Sequence, residues 1–151
     1  MSQDIAGFGT LLLLTANITY PTGVPITAFA DDSDGIEFPS IQIADGAMTV
    51  NGILAKWKVA KAIDLTLNVL AGSPDDENLT YLLEANRPAQ GKLNVSDIVG
   101  IVATYPNLGI TATYVDGFIS DGMPGTSLSS VGRLKTKTYM FKFQTRTLAA
   151  I

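Results

Sequence analysis

The chain's 151 residues suit one domain with a core of its own, and 46% hydrophobic against only 16% charged residues is little charge for a surface wholly in water. It has no cysteine and no histidine, which excludes disulfides, thiolate chemistry, zinc–thiolate sites and the commonest general base. A formal net charge of −4 argues against gripping nucleic acid through its phosphates, though not against surrounding DNA without sticking to it.

In chain order, residues 1–20 predict a short flexible start and then a strand, with the apolar run Leu11, Leu12, Leu13, Leu14 continued by β-branched and aromatic residues. No basic residue precedes that run, and no stretch approaches the roughly 20 apolar residues of a membrane span. A chain made in the cytoplasm with no membrane insertion is expected. Pro21-Thr22-Gly23 opens a long loop placed near residues 21–40, rich in turn formers up to Pro39. Residues 38–43 predict a short strand, Asp45-Gly46 a tight turn into residues 47–50, and Asn51-Gly52 a second turn.

The clearest alternation follows. Ile53, Ala55, Trp57 and Val59 alternate with Leu54, Lys56, Lys58 and Ala60, and Ile63, Leu65, Leu67 and Val69 alternate with polar residues. Period two over this length predicts two strands of a hairpin with one buried face, Trp57 on the core side. Ser73 is a good N-cap, Pro74 fits the first helical position, and Asp75, Asp76 and Glu77 fill the first turn of a helix. Leu79, Leu82 and Leu83 recur at helical spacing and are its packing face; Asn86, Arg87 and Pro88 end it. Strands are then predicted over residues 95–105 and 110–119, a second long loop over residues 120–132, and a last strand over residues 134–147 with Tyr139, Phe141 and Phe143 on one face. There is no internal repeat. The sum is one domain over residues 1–151, mainly β: a β-sandwich or strongly curved antiparallel sheet with one short α-helix.

Candidate chemistry is sparse. Asp31, Asp32, Asp34 and Gly35 look like a calcium loop, but with Gly35 at its sixth position the twelfth is Ile41, where a bidentate Glu is needed. An exposed turn is the plainer reading. Asp75, Asp76 and Glu77 sit where capping alone explains acids. Serines and threonines have no histidine to activate them, and neither a nucleophile elbow nor a phosphate-binding glycine loop is present. Lys135, Lys137, Lys142 and Arg146 around Tyr139 and Phe141 imitate a nucleic-acid strand; lysines at the wet end of a core strand, or at a subunit seam, fit the acidic chain better. Lys56, Lys58 and Lys61 mark the solvent or partner face of their strand. Asn17-Ile18-Thr19 and Asn78-Leu79-Thr80 match glycosylation sequons. Neither a catalytic residue nor a cofactor or metal is expected, and the chain is not expected to be an enzyme.

The order of these elements resembles the tail tube proteins of contractile-tailed phages, whose fold the type VI secretion tube proteins share. The resemblance rests on the Asp-rich loop Asp31-Asp32-Ser33-Asp34-Gly35, the turn Asn51-Gly52, the strands leading into Gly72-Ser73-Pro74-Asp75-Asp76-Glu77-Asn78-Leu79, and Val115-Asp116-Gly117-Phe118-Ile119-Ser120. It implies a structural virion protein that forms stacked, hexameric rings, with strands of neighbouring subunits closing a β-barrel around a channel for DNA. It also implies sheath, baseplate and terminator proteins as partners. On it, Asp31, Asp32, Asp34 and Gly35 become the loop reaching a neighbouring subunit or ring, and Ile53, Ala55, Trp57, Val59, Ile63, Leu65, Leu67 and Val69 the barrel strands. Ring closure would remove exposed strand edges, and an acidic lumen would let DNA slide. A tail terminator, a completion protein or a spike-proximal tube-like subunit is the alternative role in such a particle. A small ligand-binding β-barrel is the alternative outside it.

Overall fold

The computed structural model describes residues 6–150; the expected flexible start lies in part outside the described residues. In chain order the strands are β1 (Leu11–Ala16), β2 (Tyr20–Ile26), β3 (Ile36–Glu37), β4 (Ala44–Met48), β5 (Leu54–Lys58) and β6 (Ile63–Val69). Helix α1 (Pro74–Asn86) follows, then β7 (Val99–Tyr105), β8 (Ile110–Gly122), β9 (Lys137–Phe143) and β10 (Thr145–Ala150). The fold class read from the sequence is the one observed: mainly β, antiparallel and curved, with a short helix. The expected barrel closure concerns assembly; the described residues of the single chain form no closed barrel.

One curved sheet runs β2-β1-β7-β8-β9-β6-β3, with β10 also on β8; β4 and β5 form a separate two-stranded ribbon. The sheet folds over on itself at β8. The first half of that strand lies between β7 and β10, and its second half pairs with β9. Two leaves result, one of β2, β1, β7, β8 and β10, the other of β8, β9, β6 and β3. They enclose one core. Leu12, Leu14, Ile101 and Tyr114 from the first leaf meet Leu65, Leu67, Tyr139, Phe141 and Phe143 from the second. Tyr114 and Phe143 touch across the leaves, ring centroids 5.6 Å apart. Each large side chain buried this way contributes about 1.5–3 kcal/mol.

The fold-over has a local cause. Asp116 takes a left-handed φ of 56°, and the β7–β8 register shifts between Val99 and Ile101, the signature of a bulge. Gly117 then lets β9 come close: a Cβ there would lie 2.3 Å from Phe143 Cδ1 and 2.5 Å from the Lys142 carbonyl oxygen. Gly117→Ala is therefore expected to destabilise the fold by about 2–3 kcal/mol, measured by urea unfolding. A change under about 0.5 kcal/mol would show that the corner relaxes freely.

Several sequence expectations are corrected. The hairpin expected over residues 53–69 does not form: β5 pairs with β4, while β6 pairs with β9 and β3. Trp57 is not on the core side but half exposed. Asp45-Gly46 lies inside β4, and the ribbon turns at residues 49–53, where Asn51-Gly52 sits and Gly52 has φ 79°. Residues 38–43 form no strand, β2 extends through Pro25 to Ile26, β8 continues to Gly122, and the last strand is split at Gln144 into β9 and β10.

Helix α1 starts as its sequence dictates. The Ser73 hydroxyl accepts from Asp76 N at 3.2 Å, Asp76 reaches back to accept from Gly72 N at 2.9 Å, and Pro74 opens the first turn. Leu79 and Leu82 are buried and Leu83 packs against the core.

Candidate functional site

No group of three or more acidic, histidine or cysteine side chains that would hold a metal ion occurs among the described residues, and no helix among them is long and apolar enough to cross a membrane. The polar side chains that sequence reading flagged as chemistry act as internal braces. Asp75 accepts from Thr27 N and Ala28 N, both at 2.7 Å, and so ties the segment after β2 to the helix. Asp76 accepts from the Tyr139 hydroxyl at 2.9 Å and lies 3.8 Å from Lys137 Nζ. Burial above all, then the Asp76 carboxylate, pushes the Tyr139 phenol well up, so it stays a donor. Lys137 is not at a wet end: it continues the inward row Tyr139, Phe141, Phe143 and is buried. The sequon residues are braces too. Asn17 Oδ1 accepts from Ile98 N, Thr19 donates to Asp97, and the Thr80 hydroxyl lies 2.7 Å from that of Tyr139.

The Asp-rich loop is anchored at both ends. Asp34 O accepts from Asn68 Nδ2, Gly35 O accepts from Asn68 N, and a Cβ on Gly35 would lie 2.9 Å from Phe29 Cβ. Asp31 forms an ion pair with Arg133 at 3.0 Å, and Thr136 donates to Asp32. The Arg133 hydrogen bond, more than its charge, holds the Asp31 carboxyl below its ordinary value. Both partners lie in the connection between β8 and β9, residues 123–136, which runs past the loop expected over residues 120–132 into the start of the expected last strand. There, Leu128 bridges Leu134, and Leu128, Val131 and Leu134 are exposed at a small finger.

The ribbon is uncovered along its whole length. Every residue from 37 to 58 is exposed. Register places Ala44 opposite Lys58, Gly46 opposite Lys56 and Met48 opposite Leu54 on one face; Asp45 opposite Trp57 and Ala47 opposite Ala55 are on the other, which Ile43 and Val59 extend through their backbone hydrogen bond. That second face carries Ile43, Ala47, Ile53, Ala55, Trp57 and Val59 with Asp45 its one charge. It is the face that period two marked for burial, yet Ile43 is 63%, Ile53 65% and Trp57 50% exposed.

The outer faces of the two leaves differ. On the second leaf, Glu37, Asp64, Asp121 and Lys142 point outward, with Lys142 and Asp64 paired at 2.9 Å. On the first, cross-strand rows run Leu11–Thr104–Thr111–Ala149, Leu13–Val102–Thr113–Thr147 and Thr15–Gly100, with Val115 opposite Thr145. No charged residue occurs in those paired rows; the exposed Asp116, in the bulge opposite Gly100, lies at their end. A freely solvated antiparallel sheet face is normally polar and charged. β10 adds an edge that pairs with β8 on one side and, among the described residues, makes no backbone hydrogen bond on the other.

A protein-family model described as "Tail fiber protein gp32" matches residues 3–147. No curated protein is similar in sequence. Three solved structures share the fold. A chain of the anti-feeding prophage baseplate has a TM-score of 0.63 at 14% identity, covering 99% of this chain and 98% of that one. The tube-terminating cap of the anti-feeding prophage scores 0.59 at 14% identity, covering 100% and 94%. The sheath/tube terminator of an extracellular contractile injection system, PVC, scores 0.58 at 12% identity, covering 99% of each chain.

Proposed function

Because the chain belongs to the tail fiber protein gp32 family, a family of structural tail proteins and not of enzymes, we propose that it is a ring-forming subunit that ends a tail tube, as a terminator or a baseplate-side adaptor. The observation that carries this is the ribbon's apolar face. Two-stranded hairpins are marginal in water, and a face patterned for burial but left open needs a cover that the described residues do not supply. A second copy supplies it.

The solved structures of like fold include two tube-ending components, which supports an end ring over the repeating inner-tube subunit that the sequence resemblance implies. Ile53, Ala55, Trp57 and Val59 lie at the subunit seam in this reading. Ile63, Leu65, Leu67 and Val69 belong to the body strand beside it. Asp31, Asp32, Asp34 and Gly35 work with the Leu128–Leu134 finger as one contact surface toward a neighbouring ring, a sheath or a baseplate protein. DNA passes along the ring axis.

Negative-stain microscopy of the purified protein, with sizing chromatography, tests this. Discrete rings are expected. Long tubes would instead establish the repeating tube subunit, and a monomer at every concentration would end both readings in favour of a small binding module.

A further inference from the structure

We infer that the apolar face of the β4–β5 ribbon of one copy packs face to face on the uncharged outer face of the β1-β7-β8-β10 leaf of a second copy. This rests on the ring reading above and names the contact that would build it.

The match is chemical first. Trp57, Ile53 and Ile43 present bulk with a single carboxylate at Asp45, and the paired rows of the receiving face offer threonine, valine, glycine and leucine with no charge to desolvate, Asp116 lying beyond them in the bulge. Burying the ribbon against the second leaf would strand Glu37, Asp64, Asp121 and Lys142 without water, a cost that the first leaf avoids. The receiving rows are flat and made of small or β-branched residues, the surface on which a second layer of strands settles at the usual spacing of about 10 Å.

The contact cannot be made within one chain without crossing a sheet edge. Phe38, at the root of the ribbon, stacks on Tyr114 with ring centroids 5.1 Å apart. Tyr114 faces the core side of its leaf. The ribbon therefore leaves from the side opposite the uncharged face. Donor and acceptor surfaces lie on different sides of the molecule, so each copy gives a ribbon and receives another. Such heterologous contacts propagate head to tail and end only by closing a ring.

Size decides how the assembly behaves. Two strands of about six residues cover roughly 10 Å by 20 Å. That is well short of the roughly 800 Å² per partner of a standard stable interface. A lone dimer is weak, whereas a closed ring satisfies both surfaces of every subunit. Assembly should pass from monomer to ring with little dimer between.

The absence of cysteine makes a cross-linking test clean. Ala55→Cys places a thiol on the ribbon face and Thr113→Cys one on the receiving face. With a short bis-maleimide, the double variant is expected to give a ladder of covalent species beyond the dimer, and each single variant at most a dimer. Trp57→Asp, at an exposed site, should keep the wild-type circular dichroism spectrum and melting. It should raise the concentration needed for rings on the order of a hundredfold. If rings form but the double variant links no better than the singles, and Trp57→Asp assembles normally, this contact is wrong while the ring reading stands. If no ring forms under any condition, the ring reading falls and this contact with it.

Discussion

Asp97→Ala is expected to lower the stability of the isolated subunit by about 3 kcal/mol, read from the urea midpoint at unchanged slope. Asp97 is almost fully buried just ahead of β7. Its Oδ1 accepts from Ile18 N and Thr19 N, both at 2.9 Å, and its Oδ2 accepts from Asn86 Nδ2 at 2.8 Å and from the Thr19 hydroxyl. Its own N–H donates to Asn86 Oδ1 at 2.9 Å. One carboxylate thus holds the β1–β2 turn, the end of α1 and the start of β7 together. Alanine leaves those donors facing each other across a void, and the partial exposure of the turn keeps the cost near the middle of the range for a broken polar network.

The same site has a pH signature. Burial works to raise the Asp97 pKa, but the hydrogen bonds from Thr19, Asn86 and the backbone of Thr19 and Ile18 outweigh it, and the net shift is downward. A carboxyl whose folded pKa is depressed adds stability that is fully present above its unfolded pKa, about 3.9, and disappears as pH falls through the folded value. The gap between wild type and Asp97→Ala should hold constant from neutral pH down to about 4 and narrow below it. Asp97→Asn keeps the shape but presents an amide N–H where an acceptor is needed, so it should cost less than alanine, and its difference from Asp97→Ala should not change with pH because neither variant carries the carboxyl. A gap that stays constant to pH 3 would mean that the ionised form contributes nothing special.

What the sequence carried, and what it did not, divides along a physical line. Alternation in residues 63–69 and at Tyr139, Phe141 and Phe143 identified inward positions correctly, because a side chain's face follows from the backbone pleat alone. Continued one step toward the N-terminus, the same alternation places Lys137 inside, against the expectation that its charge sets. The cap at Ser73 and the packing face of α1 are equally local. Pairing was not local. Taking β5 and β6 as a hairpin followed the tendency of consecutive strands to pair, yet Lys61-Ala62 carries no turn chemistry while Asn51-Gly52 does. Gly46 was read as a turn but serves close approach: a Cβ there would lie 2.9 Å from the Ala55 carbonyl oxygen. The Asp31–Arg133 pair spans 102 positions and has no sequence signal at all. Alternation at Ile53, Ala55, Trp57 and Val59 marks a face patterned for burial but not what would cover it, and the described residues leave it bare. The candidate site was legible as a pattern of burial that the fold itself then failed to satisfy.

Asp76→Ala is expected to cost about 4 kcal/mol, the largest effect of any single substitution considered, because it strands a charge. Lys137 and Asp76 side chains are 3% and 8% exposed and 3.8 Å apart, and Lys137 has no other ion pair among the described residues. The pair need not be strongly stabilising as a pair: at this separation, attraction and desolvation oppose each other closely. Removing one partner leaves the buried ammonium with no counter-charge and only the Tyr139 ring, whose centroid is 5.9 Å away, and it also takes one bond from the Tyr139 hydroxyl, which keeps Thr80, and releases Gly72 N. Lys137→Met alone should cost far less, about 1 kcal/mol, since Asp76 keeps its bonds from Gly72 and Tyr139 and the methionine fills the inward row beside Tyr139. The double variant should then be more stable than Asp76→Ala alone, by about 1–2 kcal/mol, a coupling that a double-mutant cycle in urea measures directly. If Lys137→Met brings no recovery, the cost of Asp76→Ala lies in the helix start and not in the stranded charge. Either result bears on assembly, because this cluster pins α1 to the end of β9 from which the Leu128–Leu134 finger departs. A subunit that loosens there should still present its ribbon but misplace the opposite contact surface.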